Sequence, residues 1–177
     1  MIYTTKELLA KNETEYSIRN NLLAKKLFLV ERGIYSDEPH SFVDETYICK
    51  KYPNAILTGL SAFYLYDLTD HIPDCFYLAT EQHSFPIRRK DVIQSYQDKS
   101  FFGIGVTFKD GVRTYDLERL LIELFRLKEK YPREIYYEVL GSFRKNKNNI
   151  DFYKVNSYLK HFSNGNSLAM RIKEALI

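Results

Sequence analysis

The sequence predicts an α+β protein in which a small N-terminal module precedes a larger mixed α/β domain with a small sheet and a helical C-terminus. Three observations predict this class. Hydrophobic residues make up 45% of the 177 positions, which is enough to build a packed core. Helix-like and strand-like periodicities both occur along the chain. A polar link at 36–40 separates the first segment from the rest.

Two short helices are predicted in the first segment. Thr4 followed by Glu7 has the pattern of a capping box, which begins a helix that continues to about residue 11. A second helix is predicted over 14–26, with Thr14 as its N-cap. Ile18 and Leu22 lie four residues apart in it, so they share one face, as an amphipathic helix requires.

A hairpin follows the two helices. The apolar residues 27–30, a turn at 31–33 that contains Gly33, and the apolar pair 34–35 predict two short strands. Two helices at a tight turn followed by a hairpin form the outline of a winged helix-turn-helix. We therefore predict that residues 1–36 are a winged helix-turn-helix DNA-binding domain.

The second domain is predicted to cover residues 41–177. Asp110 and Gly111 lie between two apolar runs and indicate a hairpin. Asp116 begins the most strongly periodic helix of the chain. The full set of predicted elements comprises helices at 42–51, 61–68, 116–130, 134–143, 151–162 and 167–177, and strands at 75–80, 91–96, 103–107 and 112–115.

The charge is distributed unevenly although the net charge is only +3. Residues 1–36 contain six Lys/Arg and four Asp/Glu, residues 37–139 contain thirteen and seventeen, and residues 140–177 contain seven and two. This pattern favours phosphate contacts at the two ends of the chain over its centre. The chain also has no long apolar stretch and no secretory signal pattern at its start, so we expect a cytoplasmic protein without membrane contact.

A search for catalytic and ligand-binding motifs finds little. The sequence has no GxSxG, Walker A, GxGxxG or HExxH motif, and Cys49 and Cys75 lack the spacing of a zinc site. We expect a protein that is not an enzyme, with no catalytic residues, no cofactor and no metal. One alternative stays open: Asp74 before a strand and Glu81 after it resemble the carboxylate pair of PD-(D/E)xK nucleases, although His83 stands where that motif has lysine.

The second helix is the candidate DNA-reading element. With Ile18 and Leu22 facing inward, steps of 100° turn Tyr16, Ser17, Asn20 and Ala24 outward and place Arg19 on the flank. Asn bonds adenine and Arg bonds guanine through two hydrogen bonds each, while lysines near the helix end contact phosphates. The predicted DNA-binding residues are Thr14, Tyr16, Ser17, Arg19, Asn20, Lys25, Lys26 and Arg32. The alternative is that these residues only solvate a surface helix of a protein-interaction module.

The order of short motifs along the chain resembles the AbiEi family, the antitoxins of bacterial abortive-infection toxin-antitoxin systems. The residues Arg32, Gly33 and Tyr35 match its RGxY strand, and Ser61, Ala62, Leu65 and Leu68 match its SALxxxxL helix. Pro73 matches its proline before a strand. The residues Glu118, Arg119, Leu121 and Glu123 match its ERTLxD helix, with Leu120 and Glu123 in place of the usual Thr and Asp.

The resemblance covers nearly the whole chain and implies a protein with two functions. An N-terminal winged helix would bind operator repeats in double-stranded DNA and repress its own operon. Residues 41–177 would be the antitoxin domain. The partner implied is a nucleotidyltransferase toxin, which the antitoxin would counteract without a stable complex.

Overall fold

A computed structural model describes residues 1–39 and 44–176 of the chain. The protein is α+β and contains two separate sheets. It divides into two compact units, an N-terminal unit over Met1–Pro53 and a C-terminal unit over Asn54–Ile177. Among the described residues, no helix combines the length and the apolar character needed to cross a membrane.

The N-terminal unit begins with β1 (Ile2–Thr4), α1 (Thr5–Ala10) and α2 (Glu15–Leu23). The predicted capping box of Thr4 and Glu7 is confirmed: the Glu7 amide donates to Thr4 Oγ1 at 3.2 Å, and the Thr4 amide donates to Glu7 Oε2 at 2.7 Å. Asn12 adopts a left-handed φ of 64° in the turn between the helices, a conformation that asparagine tolerates better than most residues.

The second helix ends at Leu23, three residues earlier than predicted. Lys25 has a left-handed φ of 54°. The amides of Lys25 and Lys26 donate back to the carbonyls of Leu22 and Asn21, at 3.2 and 2.9 Å. These two bonds form a Schellman motif, which satisfies the last carbonyls of the helix and turns the chain away from it.

A three-stranded antiparallel sheet completes the N-terminal unit. The predicted hairpin is present as β2 (Phe28–Glu31) and β3 (Ile34–Ser36), and the strand order is β1-β3-β2. The strand β1 was not predicted, because it has only three residues; it is held by pairing with β3, with Ile2 opposite Ser36. The small core of this unit consists of Leu8, Ile18 and Leu27, packed with Tyr3, Leu22 and Tyr35.

The helix α3 (Glu45–Lys51) belongs to the N-terminal unit. The predicted domain boundary lies between residues 36 and 41, which would assign this helix to the second domain. Side-chain contacts explain the difference, because Lys50 bonds both the Ile2 carbonyl and the Glu7 carboxylate, and Tyr47 bonds Glu31. A helix was predicted over 42–51. Residues 42 and 43 lie outside the described residues, and Asp44 is the N-cap of α3.

The C-terminal unit is built on a five-stranded mixed sheet in the order β6-β5-β4-β8-β7. Its strands are β4 (Ile56–Leu57), β5 (Phe76–Glu81), β6 (Val92–Gln97), β7 (Val106–Lys109) and β8 (Val112–Tyr115). The β7–β8 hairpin turns at Asp110 and Gly111, both with positive φ, as predicted. The central strand β4 was not predicted, since two residues carry no periodicity.

Helices cover this sheet. They are α4 (Gly59–Leu65), α5 (Lys99–Phe102), α6 (Leu117–Arg126), α7 (Arg133–Lys145), α8 (Phe152–Leu159) and α9 (Gly165–Leu176), with short 3-10 turns at Lys128–Lys130 and Lys147–Asn149. The helix α6 is central and packs against α4, α7, α8 and α9. Its residues Leu120, Leu121, Ile122 and Leu124 are all fully buried. The short helix α5 was not predicted.

Candidate nucleic-acid interface

The exposed face of α2 is the candidate nucleic-acid interface. Tyr16, Arg19, Asn20 and Leu23 are spaced i, i+3, i+4 and i+7, so they share one side of the helix. All four are exposed, and the exposed fraction is 74% for Tyr16 and 76% for Leu23. On the opposite side, Ile18 is buried in the core of the unit. The helix thus presents an arginine and an asparagine between two large apolar side chains.

Thr14 and Ser17 cap the start of the helix. The Ser17 amide donates to Thr14 Oγ1 at 3.1 Å, and the Thr14 amide donates to Ser17 Oγ at 2.8 Å. The Ser17 hydroxyl also bonds the carboxylate of Glu13 and lies 2.9 Å from the Thr14 carbonyl oxygen. Two of the predicted DNA-binding residues therefore hold the first turn of α2 in place, and Ser17 is only half exposed.

The three predicted phosphate-contacting residues lie at the end of α2 and at the tip of the hairpin. Lys25 and Lys26 are exposed at the left-handed turn that closes the helix. Arg32 is exposed in the turn between β2 and β3, next to Gly33 with a φ of 81°. The Gly33 carbonyl accepts a 3.0 Å hydrogen bond from the Thr5 amide, which fixes this turn against the start of α1.

Two lysine–carboxylate ion pairs form within the N-terminal unit. Met1–Pro53 contains eight Lys/Arg and eight Asp/Glu, so its formal net charge is zero. Two of the carboxylates, Glu7 and Glu31, are paired with Lys50 and Lys51 of α3. Burial raises the pKa of Glu7, but hydrogen bonds from Lys50 and Thr4 outweigh it, so the pKa lies below its usual range. Both carboxylates are thereby compensated within the unit.

Six basic side chains of the unit remain without an ion pair in the described part of the chain: Lys6, Lys11, Arg19, Lys25, Lys26 and Arg32. Four of these six, Arg19, Lys25, Lys26 and Arg32, are among the predicted DNA-binding residues, whereas the ion pairs made by α3 were not predicted. The pair Lys50-Lys51 in the last turn of a helix capped by Asp44 was the available signal. Its partners could not be read from the sequence, because they lie 43 and 20 positions away.

The structure separates the two carboxylates of the nuclease-like pattern. Asp74 precedes β5 and Glu81 is its last residue. A six-residue strand extends over about 17 Å, too far for two carboxylates to share one metal ion. Among residues 1–39 and 44–176, no group of three or more His, Cys, Asp or Glu side chains is arranged to hold a metal.

The most deeply buried charges belong to α6. Arg119 and Glu123 both have fully buried side chains, and the Arg119 guanidinium bonds Glu123 Oε1 through Nε at 2.9 Å and Nη2 at 2.8 Å. Its other donors reach Gln97 Oε1 at 2.7 Å and the carbonyls of Phe101 and Ile104. All five guanidinium N–H groups have acceptors. This arginine therefore stabilises the fold and is closed to an external ligand.

A second set of charges lies at the start of α6. Lys154 bridges Asp116 at 2.9 Å and Glu118 at 3.3 Å. The hydrogen bond with Asp116 is the main reason that the pKa of Lys154 is raised above its usual range. Desolvation, followed by the Asp116 and Glu118 charges, raises the pKa of Tyr66 to about 12. These groups satisfy one another, as expected of a structural network.

Comparisons with known proteins show the fold and nothing finer. No protein-family model matches the chain, and no curated protein matches its sequence. Among solved structures, the crystal structure of the RV2827C protein from Mycobacterium tuberculosis is similar, with a TM-score of 0.63 and 11% sequence identity, over 99% of this chain and 71% of that one. The chain therefore shares the α+β architecture of that protein over almost its whole length.

Proposed function

We propose that this protein is a sequence-specific, double-stranded DNA-binding protein whose N-terminal unit acts as a winged helix-turn-helix. In this proposal α2 enters the major groove, and the β2–β3 hairpin serves as the wing. The order β1-α1-α2-β2-β3, the short turn between the two helices and the three-stranded sheet support it.

One observation carries the proposal. Asn20 is exposed on the face of α2 opposite its buried residue Ile18, and Arg19 is exposed on the flank. Neither has an ion pair or a hydrogen bond from its side chain in the described residues. Arg and Asn are the side chains that read guanine and adenine most specifically. A surface helix that only needed solubility would not require these two residues between Tyr16 and Leu23.

The conformation of Lys25 also supports the proposal. Its φ of 54° is a position where glycine is less strained than any residue with a Cβ atom. A lysine there is most useful if its charge is needed at the end of the helix. Together with Lys26 and Arg32, it would place cations where the phosphates flank a helix in the major groove.

We further propose that the protein is an antitoxin of the AbiEi type and is not itself an enzyme. It would repress its own toxin-antitoxin operon by binding operator repeats and would counteract a nucleotidyltransferase toxin without a stable complex. The support is the resemblance of the motifs in Arg32–Tyr35, Ser61–Leu68 and Glu118–Glu123, together with the presence of a second, larger unit that DNA binding does not require.

Selection of binding sites from random DNA, followed by fluorescence anisotropy, tests the DNA-binding proposal. Arg19→Ala and Asn20→Ala should each weaken binding to the selected site by about 1–3 kcal/mol, or about 5- to 150-fold, and should relax the base preference at one position. Lys160→Ala and Asn166→Ala, which replace an exposed cation and an exposed amide of the C-terminal unit, serve as matched controls. Equal affinities for all four variants would refute the assignment of α2.

The salt dependence of binding distinguishes DNA binding from a protein-interaction module. Each phosphate neutralised by a cation contributes about 0.9 to the slope of log affinity against log salt. Lys26→Ala and Arg32→Ala should each lower this slope by about one, whatever the DNA sequence. Failure to select any site, with no salt-dependent binding to duplex DNA, would favour the interaction module.

The antitoxin proposal requires that two activities can be separated. The double variant Arg19→Ala/Asn20→Ala should lose repression of a reporter that carries the selected site. It should still rescue growth of cells that express the proposed nucleotidyltransferase toxin. Loss of both activities in a variant that folds normally would contradict the proposed division between the two units.

A further inference from the structure

We propose that the groove between α8 and α9 binds an amphipathic α-helix of a partner protein, with acidic residues flanking the apolar face of that helix. The groove lies within the C-terminal unit and has a volume of about 720 Å³. This inference uses no residue of the N-terminal unit and is independent of DNA binding.

Apolar side chains form the groove. Val155, Leu159 and Ile172 are buried at its base. Phe152 and Met170 also line it but remain 41% and 63% exposed. Exposed large apolar side chains beside a groove are typical of a surface that another molecule covers, and methionine adapts well to such contacts.

The spacing of the lining residues suits a helix as the occupant. On α8 they are Phe152, Val155, Asn156 and Leu159, at i, i+3, i+4 and i+7. On α9, Ala169, Ile172, Lys173 and Leu176 have the same spacing. Two helix faces side by side form a trough into which the apolar face of a third helix can pack.

The charges of the lining residues determine which helix fits. Lys147 and Lys173 are exposed in the groove lining, with the amides of Asn148 and Asn156, and no carboxylate occurs among the lining residues that the structure describes. The surrounding segment 140–177 has seven Lys/Arg and only two Asp/Glu. Acidic residues on the flanks of the partner helix would complement these lysines and speed association.

Two other occupants fit less well. A second copy of this chain using the same groove would place two lysine-bearing linings without a described carboxylate against each other, since a two-fold interface has the same patch on both sides. A small apolar molecule in the trough would leave the exposed parts of Phe152 and Met170 in water. A helix lying over the trough would cover both.

Selection from a displayed library of 15-residue peptides tests this inference on the full chain. Each peptide carries Leu at i, i+3, i+4 and i+7, and its other positions vary among Glu, Lys, Ser and Ala. We expect the selected peptides to be enriched in Glu over Lys. The selected peptide, labelled with a fluorophore, should lose at least about tenfold in affinity for Met170→Glu and for Lys147→Glu/Lys173→Glu.

Matched variants control for charge and for folding. Tyr153→Glu changes an exposed residue of α8 that does not line the groove, and Lys145→Glu/Lys160→Glu makes the same change of charge elsewhere in the unit. Both should bind the peptide as the unmodified chain does, and circular dichroism verifies that every variant is folded.

Four results would overturn the inference. The first is a library that yields no binder, and the second is a selected pool without charge preference. The third is an affinity that survives both groove variants. The fourth is a dimer in sedimentation velocity that Met170→Glu dissociates, because it would assign the groove to a second copy of the chain.

Discussion

Replacing Glu123 with alanine should strongly destabilise the C-terminal unit. The carboxylate accepts hydrogen bonds from two arginines: Arg119 binds Oε1 at 2.8 and 2.9 Å, and Arg126 binds Oε2, at 3.1 Å through Nε. Arg119 and Glu123 are fully buried. Without Glu123, the Arg119 guanidinium keeps its charge in the interior and loses the acceptor of two N–H groups.

The expected cost follows from this burial. Removal of one partner of a buried ion pair typically lowers the free energy of unfolding by about 3–5 kcal/mol, since the remaining charge is uncompensated. For a unit of this size, that corresponds to a decrease in Tm of roughly 10–20 °C. Arg126→Ala is the milder comparison, because its side chain is 23% exposed and the buried Arg119–Glu123 pair stays intact. It should cost about 1–3 kcal/mol, since the buried Glu123 Oε2 loses its donor while the charge of Glu123 keeps Arg119 as its partner.

Urea denaturation followed by circular dichroism measures these effects, and a double-mutant cycle tests their cause. The double variant Arg119→Met/Glu123→Leu removes both charges and keeps apolar volume, so it should be clearly more stable than Glu123→Ala. The reasoning fails if Glu123→Ala costs less than about 1 kcal/mol. It also fails if the double variant loses the full sum of Arg119→Met and Glu123→Leu measured singly.

Three further predictions concern backbone strain, pH and the end of α2. Gly105→Ala should lower the free energy of unfolding by about 2–5 kcal/mol, because φ is 75° and a Cβ atom would lie 2.6 Å from Arg119 Cβ, whereas Gly111→Ala, with a φ of 79° and open space, should lower it by only about 1–2 kcal/mol. Similar losses for the two variants in urea denaturation would exclude a role for the clash. Burial and nearby carboxylates raise the pKa of Tyr66 to about 12, so the stability that the neutral side chain contributes is present below pH 10 and is lost as the pH rises to 12. Tyr66→Phe should therefore flatten the plot of unfolding free energy against pH in this interval, and an unchanged plot would contradict the raised pKa. Lys25→Gly should raise the free energy of unfolding by about 1 kcal/mol, because glycine adopts the left-handed conformation without strain. It should also lower the slope of log DNA affinity against log salt by about one. A loss of stability would refute the strain at this residue.

Local chemistry made many elements of this fold predictable. Thr4 and Thr14 start helices because their side chains accept hydrogen bonds from amides three residues later, and Asp116 does the same for α6. Asp110 and Gly111 form a hairpin because the turn needs two positive φ angles. Each of these signals lies within a few residues of its partner.

Elements that depend on distant partners were missed or placed differently. The strand β4 has two residues and exists because β5 and β8 bond it from either side. The grouping of α3 depends on Lys50 meeting Glu7, 43 positions earlier. The end of α2 was placed too late because nothing in Lys25 itself indicates a left-handed conformation.

For the candidate interface, the sequence by itself determined that Asn20 faces outward and that Arg19 lies on the flank of α2, since 100° steps from Ile18 and Leu22 place both residues. Only the tertiary structure decided which cations accompany them, because Lys50 and Lys51 of a separate helix are paired with the carboxylates of Glu7 and Glu31. Helical periodicity is a property of neighbouring residues. Burial and ion pairing are properties of whatever the folded chain brings together, and no window of the sequence contains both partners.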